Sequence, residues 1–321
     1  MKKILYFAFT AIAIAFTTTS CSSDDNSMLK GPTTRPVEII TDPLKIQTEG
    51  DYSIKVFTNT KEFYAPSTAP IIIEITDNKD ETNKVFTNTK MAITMHMTMQ
   101  DGHQMSHSAP ITQLRPVAGT TNKFEGEIMF SMAGMELDKN YWTITVESEN
   151  KGNKIKTDIN TTVRPGNFFD RENIINSIAK GDNKTLEMFT YNGKNHFIAF
   201  HQIPNLKVGR NKMQVSVFRS EKMGMEFPVV ENLSIEIDPR MPDMANHGVS
   251  AAINPLKYNS NIGMYDGTIV FNMPGYWYIN LVVKDEAGNI VAGKPVYTPV
   301  RVNKDTDTTP VLGDKFLDVF I

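Results

Sequence analysis

The chain has 321 residues, 33 of them Lys or Arg and 36 Asp or Glu, for a formal charge of −3. At 40% hydrophobic it has ample apolar surface for packed cores, which excludes wholesale disorder, and its mixed charge lacks the basic face that nucleic-acid binding needs. One cysteine excludes a disulfide framework and a thiolate zinc cluster, while 18 methionines against 10 Tyr and 2 Trp are the compositional oddity.

The first element reads as an address. Lys2 and Lys3 precede the uncharged apolar run 4–16, too short for a permanent span but suited to a signal-peptide core. Small polar residues 17–20 follow, and then Cys21. A lone Cys directly after such a leader resembles a bacterial lipoprotein site, although Thr18 stands where a large aliphatic residue is usual. The resemblance implies removal of residues 1–20, lipid on Cys21 and anchoring in the outer membrane. The stretch Ser22-Ser23-Asp24-Asp25 resembles the surface-export signal of Bacteroidetes lipoproteins, which leaves the cell surface and the periplasmic face as alternatives. No later apolar run reaches the roughly 18 residues that a membrane helix needs.

Residues 21–45 are rich in Ser, Thr, Asp and Pro and read as a lipidated tether. Beyond them, short alternating or β-branched runs separated by Gly, Asn, Asp and Pro predict strands, among them Tyr52–Phe57, Met91–Met97, Phe124–Phe130, Leu233–Ile237 and Trp277–Val283. One helix-like stretch, Phe169–Ala179, lies midway. The motif F-x-M-x-G occurs at Phe130–Gly134 and again at Phe271–Gly275, each followed by Tyr-Trp and an alternating strand. Upstream, Met91-x-Ile93-x-Met95 matches Leu233-x-Ile235-x-Ile237, which sets Met99 against Met241. Val163-Arg164 and Val300-Arg301 are expected to close the two copies. The prediction is all-β, with two tandem immunoglobulin-like β-sandwiches at 46–165 and 185–304, a linker at 166–184 and a C-terminal tail at 305–321.

Chemistry concentrates in two loops. Copy one carries Met95-His96-Met97-Thr98-Met99, then His103, Met105 and His107; copy two carries Met241, Met244 and His247. Thioethers with imidazoles favour Cu(I), whereas hard cations want a carboxylate cluster that neither loop has. Strand alternation assigns Met91 and Met95 to the core. It leaves Met99, His103, Met105, His107, Met241, Met244 and His247 as metal-ligand candidates, with Met132 and Met273 of the repeated motif able either to cap the sandwich or to reach the loop. His196, His201 and Met223-Gly224-Met225 carry a weaker signal. Asp77, Asp80 and Glu81 read as a solvated turn. The chain has no G-x-S-x-G elbow, P-loop or H-E-x-x-H motif, so no enzymatic activity is expected.

Copy two, through Met241-Pro242-Asp243-Met244, His247, Gly263-Met264-Tyr265, Phe271-x-Met273-x-Gly275 and Trp277, resembles the YtkA-like domain related to FixH-like proteins. The resemblance covers about residues 210–285 and, more weakly, 68–148, where the M-P-x-M string is missing. It implies a small immunoglobulin-type sandwich of the bacterial envelope with a role near copper handling or cytochrome oxidase assembly. The expected function is therefore a lipid-anchored copper carrier, buffer or partner of a copper-transport or oxidase-assembly protein. The alternative is a metal-free structural or adhesive surface lipoprotein presenting a protein- or glycan-binding surface.

Overall fold

The computed structural model describes residues 42–166, 183–201, 206–241, 244, 247–249, 253–295 and 313–321. The leader, Cys21, the stretch Phe169–Ala179 and Val300-Arg301 lie outside the described residues.

The described residues are all-β and form immunoglobulin-like sandwiches. Copy one contains β1 (Lys45–Glu49), β2 (Tyr52–Thr58), β3 (Phe63–Ala65), β4 (Ser67–Asp77), β5 (Thr87–Thr98), β6 (Gln104–Ser108), β7 (Arg115–Pro116), β8 (Lys123–Phe130), β9 (Asn140–Asn150), β10 (Asn153–Thr161) and β11 (Val163–Pro165). Its two main sheets run β1-β2-β4-β8-β7 and β10-β9-β5-β6, and β11 pairs with β3 in parallel. Ile54, Ile73, Ile93, Phe130, Trp142 and Ile144 alternate inward from both sheets and fill the space between them.

Copy two contains β12 (Leu186–Tyr191), β13 (Lys194–Phe200), β14 (Gly209–Arg219), β15 (Ser234–Met241), β16 (His247–Gly248), β17 (Leu256–Asn259), β18 (Met264–Phe271), β19 (Tyr276–Lys284), β20 (Ile290–Ala292) and β21 (Phe316–Phe320). Here β17 pairs with both β18 and β15, which joins the two layers into one continuous sheet, β12-β13-β14-β18-β17-β15-β19-β20. The edge of β19 that corresponds to the β10 side of β9 is covered by β20 and β21 together.

Residues 316–320 are therefore not tail but the last strand of copy two. A buried polar cluster fixes them: Asp318 accepts hydrogen bonds from the Lys184 amide (2.6 Å) and the Tyr276 hydroxyl (2.7 Å), while Glu187 accepts from the Phe316 amide (3.1 Å) and the Lys184 ammonium (2.6 Å). Burial beside the Asp318 carboxylate pushes the Tyr276 hydroxyl pKa far up, so it stays a donor.

Pairing also corrects the alignment of the copies. Met95 lies opposite Trp142 and His107. Met241 lies opposite His247, and because Arg240 faces Tyr278 it falls next to Trp277. Met241 is thus the counterpart of Met95, and Ile237 that of Met91; the equivalence set by alternation was off by four residues. The repeat extends upstream as well. Gly126 and Gly267 each lie beneath a leucine, and a Cβ there would meet Leu114 Cδ2 at 3.0 Å or Leu256 Cδ2 at 2.6 Å.

The copies dock through the outer faces of β4 and β8 and of β12–β14. Met129 is fully buried among Leu186, Phe197, Ala199 and Phe218. Around it, the Thr68 amide donates to Thr185 Oγ1 (2.7 Å), Thr68 Oγ1 donates to the Phe200 carbonyl (3.1 Å), and His201 joins Glu127 through Nδ1 and Ser216 through Nε2. This second contact face explains why β13 is buried along most of its length rather than alternating.

Candidate metal centre

The β5–β6 hairpin turns at Gln100-Asp101-Gly102. Gly102, at φ +82°, donates to the Met99 carbonyl, Asp101 accepts from the His103 amide (3.0 Å), and the Met99 amide donates to the His103 carbonyl (2.8 Å). The turn places Met99 across from His103, Met97 across from Met105, and Met95 across from His107. Since strand side chains alternate, all six lie on one face, with facing Cβ atoms about 5 Å apart. That face is the core face of the sheet, continued past the end of the sandwich: Met95 is 1% exposed, Met97 partly buried, and Met99 and Met105 open to solvent.

The repeated motif closes over this face. Trp142 Nε1 donates to the Met132 carbonyl at 3.0 Å, and Gly134 exchanges backbone hydrogen bonds with Val163. A side chain at Gly134 would meet the Met95 methyl and the Asn140 carbonyl oxygen, both at 2.9 Å, so only glycine lets the loop approach so closely. Met132 then faces His107, whose ring stands edge-on to Trp142 at 5.7 Å.

His107 Nδ1 lies 3.1 Å from the Ser108 carbonyl and Nε2 lies 3.3 Å from Met132 Sδ. The carbonyl and the thioether both only accept, so they compete for the single proton of a neutral His107; the carbonyl is the stronger acceptor, and with the proton on Nδ1 the Nε2 lone pair turns toward sulfur. A thioether has no proton to give. In that tautomer two lone pairs face each other, an arrangement a soft cation can join, whereas in the other tautomer Nε2–H donates to the sulfur. Nδ1–H to a carbonyl with Nε2 free is also the arrangement that orients a metal-ligating histidine. On a four-coordinate ion with bonds of about 2.0 Å to nitrogen and about 2.3 Å to sulfur, the two ligand atoms lie about 3.5 Å apart.

Copy two repeats the frame and changes the contact. Trp277 Nε1 donates to the Met273 carbonyl at 3.2 Å. The Met241 methyl covers Gly275, where a Cβ would approach it to 2.6 Å. Met241, expected beyond the core strand, is instead 5% exposed and packed in the core, and Met273 packs against that core. His247 accepts a hydrogen bond through Nε2 from Asn272 Nδ2 at 2.9 Å, so its lone pair is already used. Met244 is exposed.

The structure thus brings together Met99, His103, Met105, His107 and Met132 at one end of copy one. In copy two, Met241 and Met273 are packing residues, Met244 is exposed, and His247, although across from Met241, is bonded to Asn272. Met97 and Met135 join the copy-one end, lining a groove of about 510 Å³ with Met95 and Met99. Met97 was visible from parity with Met95; Met135, in the loop inserted before Tyr141, had no signal. Among the described residues no three or more His, Cys, Asp or Glu side chains converge to hold a metal ion. Soft sulfur–imidazole coordination is the chemistry the residues fit.

The remaining groups serve structure. His196 stacks on Phe189 at 4.9 Å and hydrogen-bonds the Lys194 carbonyl at 3.0 Å, and its burial holds the imidazole pKa below the usual value. Asp77, expected to be solvated, is buried and accepts from the amides of Lys79 and Asp80.

No family model matches the chain, and no curated protein matches it. Among solved structures, a DUF4785 family protein from Legionella pneumophila is similar at 11% identity, covering 76% of this chain and 56% of that one, with a TM-score of 0.24. The chain spans little more than half the length of that protein, and a superposition of this quality transfers neither fold nor function.

Proposed function

We propose that this protein is a lipid-anchored envelope protein of the outer membrane that binds a soft univalent copper ion at the β5–β6 end of copy one. In this reading it is a carrier, buffer or assembly partner in copper handling. The observation that carries it is the 3.3 Å approach of His107 Nε2 to Met132 Sδ, a nitrogen and a thioether placed to share one soft cation when the His107 proton sits on Nδ1. Met105, Met97, Met99 and His103 on the same hairpin face supply further soft donors. The short motif resemblance to YtkA-like domains and the lipoprotein-like leader point to the same compartment.

The test is a Cu(I) titration against a competing chelator, using the full chain with Cys21→Ser to remove the one thiol. Tight uptake is expected, weakened roughly 100-fold or more by His107→Ala with Met132→Ala and unaffected by His247→Ala. Absence of uptake by the folded protein overturns the reading. It leaves the metal-free scaffold or adhesive role, which draws support from Met95, Met129, Met213, Met241 and Met264, all spent on packing.

A further inference from the structure

A cleft of about 630 Å³ lies between the two sandwiches. Copy one contributes His107, Ser131 and Met132 to it, and copy two contributes Met188, Met223 and Phe227. Met188 faces Phe197 across β12 and β13, so it stands at the margin of the docked interface, partly exposed.

Met223 arrives by a different route. It sits in the turn Glu221–Glu226, where Lys222, Met223 and Gly224 take φ of +45°, +58° and +84° in succession. Left-handed backbone is unfavourable by about 1–2 kcal/mol for each residue with a side chain. The Gly224 carbonyl accepts from the Ser108 amide at 3.1 Å, which docks this strained turn on the edge strand that carries His107. The outcome is a methionine 99% exposed at the rim of the cleft, making no contribution to any core. Glu221 is held by Lys194 (2.7 Å to each oxygen) and Arg219 (2.7 Å), and Lys222 pairs with Glu226. The cleft therefore offers a cation neutral sulfur and nitrogen rather than a free carboxylate, which suits a soft univalent ion and not a hard divalent one.

We infer that the His107–Met132 site is an interdomain site, in which a soft univalent cation takes a third or fourth ligand from Met188 and Met223 of copy two. This inference rests on the proposed copy-one site. Ion loading then ties together two sandwiches whose docking is otherwise centred on Met129.

The test uses the full chain with Cys21→Ser, methionine methyls labelled with carbon-13, and Ag(I) as a redox-inert soft probe. Titration is expected to shift the Met132 methyl together with that of Met188 or Met223. Met188→Ala with Met223→Ala should weaken Ag(I) uptake about tenfold, while Met225→Ala in the same turn leaves it unchanged. Both substitutions are at exposed positions, and unaltered circular dichroism verifies the fold. Shifts confined to copy-one methionines, with affinity unchanged in the double variant, overturn the interdomain inference and leave the copy-one site standing. No shift and no uptake by the parent chain overturn both.

Discussion

The corresponding ends of the two sandwiches share their packing and differ in one contact. In each, an indole donates to the carbonyl of the motif methionine, a core methionine methyl covers the motif glycine, and a histidine faces that methionine across the strand pair. In copy one the histidine meets sulfur; in copy two it meets Asn272, which stands where copy one has Ser131. The duplicated frame therefore preserves the interactions that hold the sandwich closed and leaves the chemistry free to diverge. One amide side chain is enough to occupy the ring nitrogen that copy one turns toward sulfur.

The largest effect is expected where the copies agree. Trp142→Ala and Trp277→Ala each remove a fully buried indole and should destabilise their sandwich by about 3–5 kcal/mol. Urea unfolding followed by methionine-methyl NMR assigns each loss to its copy; a marked asymmetry would break the equivalence of the two frames.

Next comes a position where docking distinguishes them. Met129 is covered by copy two, whereas Val270, its counterpart ahead of the motif phenylalanine, is only partly buried. Met129→Ala should cost about 2–5 kcal/mol and separate the unfolding transitions of the two copies. Val270→Ala should cost about 1 kcal/mol or less. Equal costs would mean that the interface contributes little.

A smaller, pH-dependent difference belongs to copy two. Burial lowers the folded-state pKa of His196 below its unfolded value of about 6.5. Between the two pKa values the unfolded chain binds more protons, so stability is complete above about pH 6.5 and falls as the pH drops through the window below it. Urea midpoints between pH 7.5 and 5 should show this decline in copy two. His196→Phe, which keeps the stacking on Phe189, should flatten it.

The smallest stability effect is the most informative about chemistry. Asn272→Ser removes the exposed hydrogen bond to His247 and a longer one to the Gly248 carbonyl (3.4 Å), together worth about 1 kcal/mol, and frees His247 Nε2. Nitrogen-15 shifts of His247 should then report an unbonded Nε2. Ser131→Asn should do the opposite to His107 and weaken soft-ion uptake without unfolding copy one.

Much of the fold was legible because strand alternation and the F-x-M-x-G, Tyr-Trp repeat are local signals. The register between the copies was not. Met91-x-Ile93-x-Met95 and Leu233-x-Ile235-x-Ile237 alternate alike, and a four-residue slip keeps every side chain on its own face, so alternation alone admits both alignments. What decides is which residue sits across from Trp142 and Trp277, a contact between distant segments. The same slip moved Met241 out of the core on paper. The strand Phe316–Phe320 escaped for a related reason: its polar approach reads as tail, and its partner Tyr276–Asn280 lies far back in the chain. At the candidate site, the Met- and His-rich segment 95–107 followed from spacing, though as a loop rather than as the hairpin that sets Met95, Met97 and Met99 against His107, Met105 and His103. Met135, Met188, Met223 and the masking Asn272 did not, since nothing local marks a side chain that arrives from another loop or another sandwich.

Composition, alternation and repetition by themselves determined an all-β chain, its duplication and the sulfur–imidazole character of one hairpin, because each is written in residues a few positions apart. Tertiary structure alone decided which methionines are core, which histidine meets sulfur rather than an amide, and that copy two leans its methionine turn against copy one. Those outcomes depend on pairing and docking between segments far apart in sequence, where register and competition for hydrogen bonds, rather than residue type, set the result.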